Sequence, residues 1–414
     1  MIYPRLITKK IVERLLDPDI LILVGARQTG KTTILKQIRE ALTLKGERTE
    51  FINLEDLEYV KLLDESPKNL FKIIASAEQG KVFVFVDEIQ YLKNPTNFLK
   101  YIYDEFKDKI KLIVSGSSAF YIDEKFKDSL AGRKIIFPIH TLSLPETLIF
   151  NGYDELAQKA TLKIKSKKVF FEELPLKEKE KVASCLNDFL VFGGYPRVVL
   201  EKDASRKKEM IEEIALSYIK KDVLEANIKR VDKFYELFKL LSAQTGSLIN
   251  VNELSNTLNI SQTSLNNYLR VMRKSFHIVL IRPFYSNLRK ELTKMSKVYF
   301  MDLGLRNFFI KDFSQITARV NPGSLYENFI FRQFVEVISP DDIRFWRTQS
   351  ANEVDFILDE KIACEVKFNI NNFSPVKYKM FLSCYDNFSL NVLYHSGKVK
   401  DALFKEKRFN FLQL

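Results

Sequence analysis

Residues Gly25-Ala26-Arg27-Gln28-Thr29-Gly30-Lys31-Thr32 spell G-x-x-x-x-G-K-T. Glycines at positions 25 and 30 let the backbone curl until its N–H groups converge on a polyphosphate. Lys31 is spaced to reach the outer phosphates and the Thr32 hydroxyl to ligate Mg²⁺. The expected nucleotide-contacting set is therefore Gly25, Ala26, Arg27, Gln28, Thr29, Gly30, Lys31, Thr32 and Thr33. An apolar run over 20–24 precedes the loop, and Ile34, Leu35, Ile38 and Leu42 follow on one helical face. Strand, glycine loop and helix is the context that gives this spacing its meaning.

A second apolar run, 81–86, ends in Asp87-Glu88. Near-continuous hydrophobicity marks a central parallel strand, and a carboxylate at its C-terminal end lies where such sheets bind ligands. Asp87 is expected to hold Mg²⁺ and Glu88 to polarise the water that attacks the γ-phosphate. A third run, 111–114, ends in Ser115-Gly116-Ser117-Ser118. Ser115 suits a polar group between the carboxylates and the phosphate, although a plain strand exit reads the same way. Arg133, just before a strand over 135–139, fits an arginine finger for its own or a neighbour's site and equally a surface loop.

Near the C-terminus, Glu353-Val354-Asp355-Phe356-Ile357-Leu358 and Ile362-Ala363-Cys364-Glu365-Val366-Lys367 read as a hairpin. Alternation puts Glu365 and Lys367 on one face. A carboxylate on one strand and E-x-K on the next is the pattern of restriction-type nucleases. There Asp355 and Glu365 would hold a divalent metal while Lys367 orients the water. A Glu–Lys pair is also an ordinary cross-strand contact.

The elements that carry these residues belong to a chain of 414, which is long enough for two or three domains. With 46% apolar and 29% charged residues it is globular rather than disordered. No apolar run approaches the roughly 18 residues that span a bilayer, so no membrane partner is expected. Three widely spaced cysteines (Cys185, Cys364, Cys384) and no signal-like start point to a reducing, cytoplasmic setting. The formal charge of +12 favours a polyanionic partner such as DNA. Residues 201–300 concentrate it, with 18 Lys and Arg against 11 Asp and Glu. In that stretch helices over 251–258 and 262–274, the latter capped by Ser261, precede strands over 278–281 and 298–301. The order reads as a winged helix. Gln262, Thr263, Asn266, Asn267 and Arg270 would face DNA, with Arg289, Lys290 and Lys294 in the wing. The same module serves elsewhere as a structural or protein-contact element. Residues 151–187, rich in lysine and glutamate, are expected to be a charged, exposed insertion or lid.

As an ordered set, these motifs resemble the AAA+-type P-loop ATPases of the origin-recognition-like branch. More closely, they resemble archaeal and bacterial ATPases whose C-terminal part is similar to a restriction endonuclease. Leu142-Ser143-Leu144-Pro145-Glu146, Phe192-Gly193-Gly194-Tyr195-Pro196-Arg197 and Trp346-Arg347-Thr348 complete the likeness. The resemblance implies ATP as nucleotide with Mg²⁺, and Glu327 as an additional acidic metal ligand. It also places the Gly193-Gly194 turn in a helical lid. The expected fold is α/β: a parallel-sheet ATPase core (1–150), a charged insertion and helical lid (151–204), a winged helix (205–308) and a nuclease-like domain (309–414). The expected function is Mg²⁺-dependent ATP hydrolysis coupled to DNA handling, with metal-dependent cutting by the last domain. The alternative is a nucleotide-regulated switch or scaffold whose nuclease-like domain only binds a partner. A finger acting in trans would make the protein a homo-oligomer. A P-loop kinase fits poorly, because Asp87-Glu88 with Ser115 is the hydrolase arrangement.

Overall fold

Strands too hydrophobic to face water organise the first part of the chain. β1 (Ile20–Val24), β3 (Val82–Asp87) and β4 (Ile110–Gly116) are buried along their whole length. Their residues alternate between two cores. Ile20, Ile22, Val24, Val82, Val84 and Val86 pack with Phe98, Leu99 and Ile102 of the helix Pro95–Phe106. Leu21, Leu23, Phe83, Phe85 and Ile113 pack with Ile34, Leu35, Ile38 and Leu42 of the helix Lys31–Leu44. Together with β2 (Arg48–Asn53) and β5 (Lys134–Pro138) they form a parallel sheet in the order β2-β3-β4-β1-β5.

This computed structural model describes residues 3–74, 80–116, 130–284, 294–399 and 409–413. It divides into two units, Met1–Thr141 with Lys274–Phe276 and Leu142–Arg273 with His277–Leu414. Ser117, Ser118, Arg289 and Lys290 lie outside the described residues.

The second unit begins with helices and a small antiparallel hairpin, β6 (Lys163–Lys165) and β7 (Lys168–Phe170). This stretch is better anchored than an exposed insertion. Its lysines at 165, 167 and 168 are exposed, but Val169 is buried and its N–H donates to Asn391 Oδ1 at 3.1 Å. Asn391 returns a bond to the Lys167 carbonyl at 3.2 Å. The helices Val231–Ala243, Val251–Leu258 and Gln262–Lys274 follow, then β8 (Ile278–Pro283) and β9 (Lys297–Phe300). The remaining strands are β10 (Ile343–Arg347), β11 (Glu353–Leu358), β12 (Ile362–Asn369), β13 (Leu390–Ser396) and β14 (Phe409–Gln413).

The strands β8 to β14 make one mixed sheet in the order β14-β13-β12-β11-β10-β8-β9. It runs across the domain boundary expected at 308/309, because β8 lies parallel beside β10 with Arg282 opposite Arg344. The boundary expected at 204/205 is bridged as well. Asn307 donates to the carbonyls of Leu190 and Val191, at 2.9 and 2.8 Å, at the end of the helix Leu176–Phe192. The Gly193-Gly194 turn is explained within this unit. A Cβ on Gly193 would fall 2.3 Å from Asp302 Oδ1, and one on Gly194 2.2 Å from the Leu142 carbonyl oxygen. Asp302 binds this backbone directly, since Gly194 N–H donates to its Oδ2 at 2.8 Å.

Candidate functional site

The parallel register gathers the first set of motif residues at one sheet edge. Leu23 lies opposite Ser115 and Val24 opposite Gly116 on one side of β4, while Val86 lies opposite Val114 on the other. The glycine loop, Asp87-Glu88 and Ser115 therefore all leave the C-terminal ends of adjoining strands. Gly25 must lack a side chain, because a Cβ would sit 2.1 Å from the Ile139 carbonyl oxygen. Gly30 takes φ +93° as it enters the helix Lys31–Leu44, where most side chains would be strained. Thr29 closes the curl by donating to the Ala26 carbonyl at 2.8 Å. Lys31 is buried, and its ammonium donates to the carbonyls of Gly25 and Ala26, both at 2.9 Å. Arg27 and Thr32 are half-buried at the loop, with Gln28 and Thr33 exposed.

Ser115 links the two carboxylate residues. Its hydroxyl donates to Asp87 Oδ1 and accepts the Glu88 N–H at 3.0 Å. Glu88 is held in the left-handed region at φ 58°, ψ 49°. That conformation costs a non-glycine residue about 1–2 kcal/mol, and such strain concentrates at working sites. Gln90 Nε2 donates to Glu88 Oε2, which fixes the carboxylate. The donor set thus fits a nucleotide with Mg²⁺: a glycine cradle closed to side chains, a buried lysine, a helix-initial threonine and two oriented carboxylates.

Arg133 is not brought to this edge. The Ile20–Lys134 pairing puts it at the opposite end of β1, roughly 15 Å of strand away. It instead pairs with Asp104 at 2.8 Å. The register therefore keeps it from its own site, and its pairing with Asp104 is what a surface loop residue would make.

Arg5 and Gln90 escaped the sequence reading. Arg5 is buried beside the loop, where its Nη1 donates to the Thr29 carbonyl at 2.6 Å and its Nη2 to that of His140 at 2.9 Å. The signal available was weak: an arginine in an otherwise unpatterned N-terminal segment.

The second set also converges, but around a different cation. Phe356 pairs with Cys364, so Asp355 stands opposite Glu365. Asp355 Oδ2 accepts the Val366 N–H at 2.9 Å and Glu365 Oε2 accepts that of Asp355 at 3.3 Å. Lys367 pairs with Glu365 Oε1. Lys297, on β9, places its ammonium 2.5 Å from Glu353 Oε1, 3.4 Å from Glu327 Oε1 and 3.7 Å from Asp355 Oδ1. Tyr299 donates to the same Glu327 oxygen, and Arg347 pairs with Glu353 Oε2 at 2.6 Å. Burial opposes the charge on Lys297, but Glu327, Asp355 and Glu353 together hold its pKa above the usual range. Burial pushes the Glu327 and Glu365 carboxyls up, against the pull of Lys297 and Lys367 respectively.

A divalent metal at Glu327, Asp355 and Glu365 does not fit this arrangement. Their oxygens already serve an ammonium, a phenol and backbone N–H groups. Among the described residues no three Asp, Glu, His or Cys are disposed to hold a metal ion. The physical reason is Lys297, a charged residue in an otherwise apolar strand, whose acidic partners are all remote in sequence.

In the third set, Gln262, Thr263, Asn266 and Arg270 are exposed on the helix Gln262–Lys274, and Asn267 is half-buried. Leu265, Leu269 and Met272 are buried beneath them. Ser261 caps the helix, accepting the Ser264 N–H at 3.1 Å. Trp346 lies in the apolar core with Phe381, and Thr348 Oγ1 accepts the Asn352 N–H at 3.1 Å, so both build the hairpin.

Among described residues no helix is long and apolar enough to cross a membrane. Residues 17–148 match the family described as AAA domain, and the first unit is an AAA-type P-loop domain. Residues 184–316 and 322–409 match two families, each described as a domain of unknown function (DUF8612 and DUF4143). An uncharacterized protein of Methanocaldococcus jannaschii is 27% identical over 382 residues, covering 89% of this chain and 78% of its own. Among solved structures, PCH-2 of C. elegans aligns at 14% identity and a TM-score of 0.33, over 52% of this chain and 63% of its own. The ADP form of the Aeropyrum pernix ORC2 protein aligns at 14% identity and a TM-score of 0.35, over 75% and 93%.

Proposed function

We propose that the chain hydrolyses ATP with Mg²⁺ at the first unit and uses the cycle to govern DNA binding by the second. The observation that carries the first half is the Asp87–Ser115–Glu88 bridge beside the glycine loop. Lys31 would exchange its carbonyl partners for phosphate oxygens, and Thr32 and Asp87 would hold Mg²⁺. That ion would neutralise charge on the phosphates. Glu88, fixed by Gln90 and by its backbone bond to Ser115, orients the attacking water and takes its proton. Arg5 steadies the loop from behind through the Thr29 carbonyl. The DNA half rests on the exposed polar face of the helix Gln262–Lys274 and on the basic surplus of 201–300.

A second reading has its own support. The acidic cluster around Lys297 favours a C-terminal domain that binds rather than cuts, as in a nucleotide-regulated switch or scaffold. ATP turnover measured with and without duplex and branched DNA separates the two, with Glu88→Gln as control. Turnover stimulated by DNA and lost in Glu88→Gln supports the first reading. Slow turnover indifferent to DNA sinks it and leaves the switch.

A further inference from the structure

We propose that Lys297 takes the place of a divalent cation at the C-terminal acidic centre, which is therefore a metal-free charge cluster and not a cutting site. This rests on the second unit alone and stands whether or not the ATPase reading does. Four carboxylates, those of Glu327, Glu353, Asp355 and Glu365, are brought together by the helix Pro322–Val335 and the β11–β12 hairpin. Like charges so placed need a counter-ion. A nuclease of this pattern would draw it from solution as a metal, whose oxygens lie about 2.0–2.1 Å away for Mg²⁺.

Here the chain supplies its own. Lys297 reaches in from β9 with its side chain 2% exposed, and its ammonium meets three of the four carboxylates at 2.5–3.7 Å. An ammonium has three N–H donors and no acceptor; Glu353 and Glu327 lie within hydrogen-bond reach, and Asp355 adds an ion pair at 3.7 Å. Lys367 neutralises the fourth, Glu365, and Arg347 shares Glu353. Tyr299, two residues along β9 on the same face, closes the remaining approach to Glu327 Oε1. A metal entering this centre would have to displace a buried ammonium and abandon it without acceptors, which costs far more than shedding water from an open site.

The test is Mn²⁺ binding to the full chain without nucleotide, read from the loss of the free-ion EPR signal. Wild type and Asp355→Asn should bind alike, because no site exists there to lose. Lys297→Met should gain one Mn²⁺ per chain, and the gain should vanish in Lys297→Met with Asp355→Asn. A wild-type site abolished by Asp355→Asn overturns the proposal. So does a folded Lys297→Met, checked by circular dichroism, that gains nothing. Should Lys297→Met fail to fold, the comparison of wild type with Asp355→Asn decides alone.

Discussion

At the scale of single residues, the nucleotide site is a set of geometric constraints that predict distinct failures. In the proposed reaction Glu88 orients the attacking water, while Ser115 acts through Glu88 and Asp87. Replacing Glu88 with Gln should leave ATP binding intact and lower turnover by about 10²–10⁴-fold, read as steady-state phosphate release beside nucleotide affinity. Gly25→Ala should fail earlier. Its Cβ would lie 2.1 Å from the Ile139 carbonyl oxygen, so the loop must open and affinity should fall with turnover. A Gly25→Ala chain that binds ATP normally would contradict the close approach of loop and strand. The placing of Lys31 and Thr32 at a helix start and of Asp87 at a strand end was legible in the sequence because each lies within a local motif. Arg5 and Lys297 were not, because their partners sit at Thr29 and His140 in one case and at Glu327, Glu353 and Asp355 in the other.

Whole elements repeat the lesson. The strands β1, β3 and β4 are buried on both faces, so their unbroken apolar runs announced them. The edge strand β2, Arg48–Asn53, buries only Ile52 along its length and left no comparable trace. A single charge inside β4 ties the sheet to the turn before it. Lys111 is buried, and its ammonium caps the carbonyls of Arg14, Asp17 and Asp19 at 3.1, 2.6 and 2.6 Å. Lys111→Met keeps the stem and strands those acceptors, so it should destabilise the first unit by about 2 kcal/mol, measured by urea unfolding followed at an unfolding transition of that unit. The helix Gln262–Lys274 was legible through its inward Leu265, Leu269 and Met272, and its outward face yields a test of DNA contact. Arg270→Ala should weaken binding across sequences and lower the salt slope by about one if it meets a phosphate. An unchanged slope in a fluorescence titration would remove Arg270 from the interface.

Across the molecule, the sequence reads as a series of local modules, and the structure joins them more closely than that reading expects. The second unit is one body because β8 and β10 pair side by side, and because Asn307 and Asn391 reach back to residues more than a hundred positions earlier. Such links carry no local signature. Asn391→Ala should therefore loosen a distant segment. It leaves Val169 N–H without its acceptor, and trypsin should cut near Lys165 and Lys167 faster than in wild type. The shared sheet has a practical consequence for anyone dissecting this chain. A fragment ending near residue 308 would strip β10 from β8 and leave unpaired backbone groups from Arg282 to Phe284, whose N–H donates to the Phe345 carbonyl in the intact sheet. Bare strand edges recruit other strands. The shortened protein should therefore cling to its own copies, and its behaviour would report on that adhesive margin rather than on the helices it was cut to isolate.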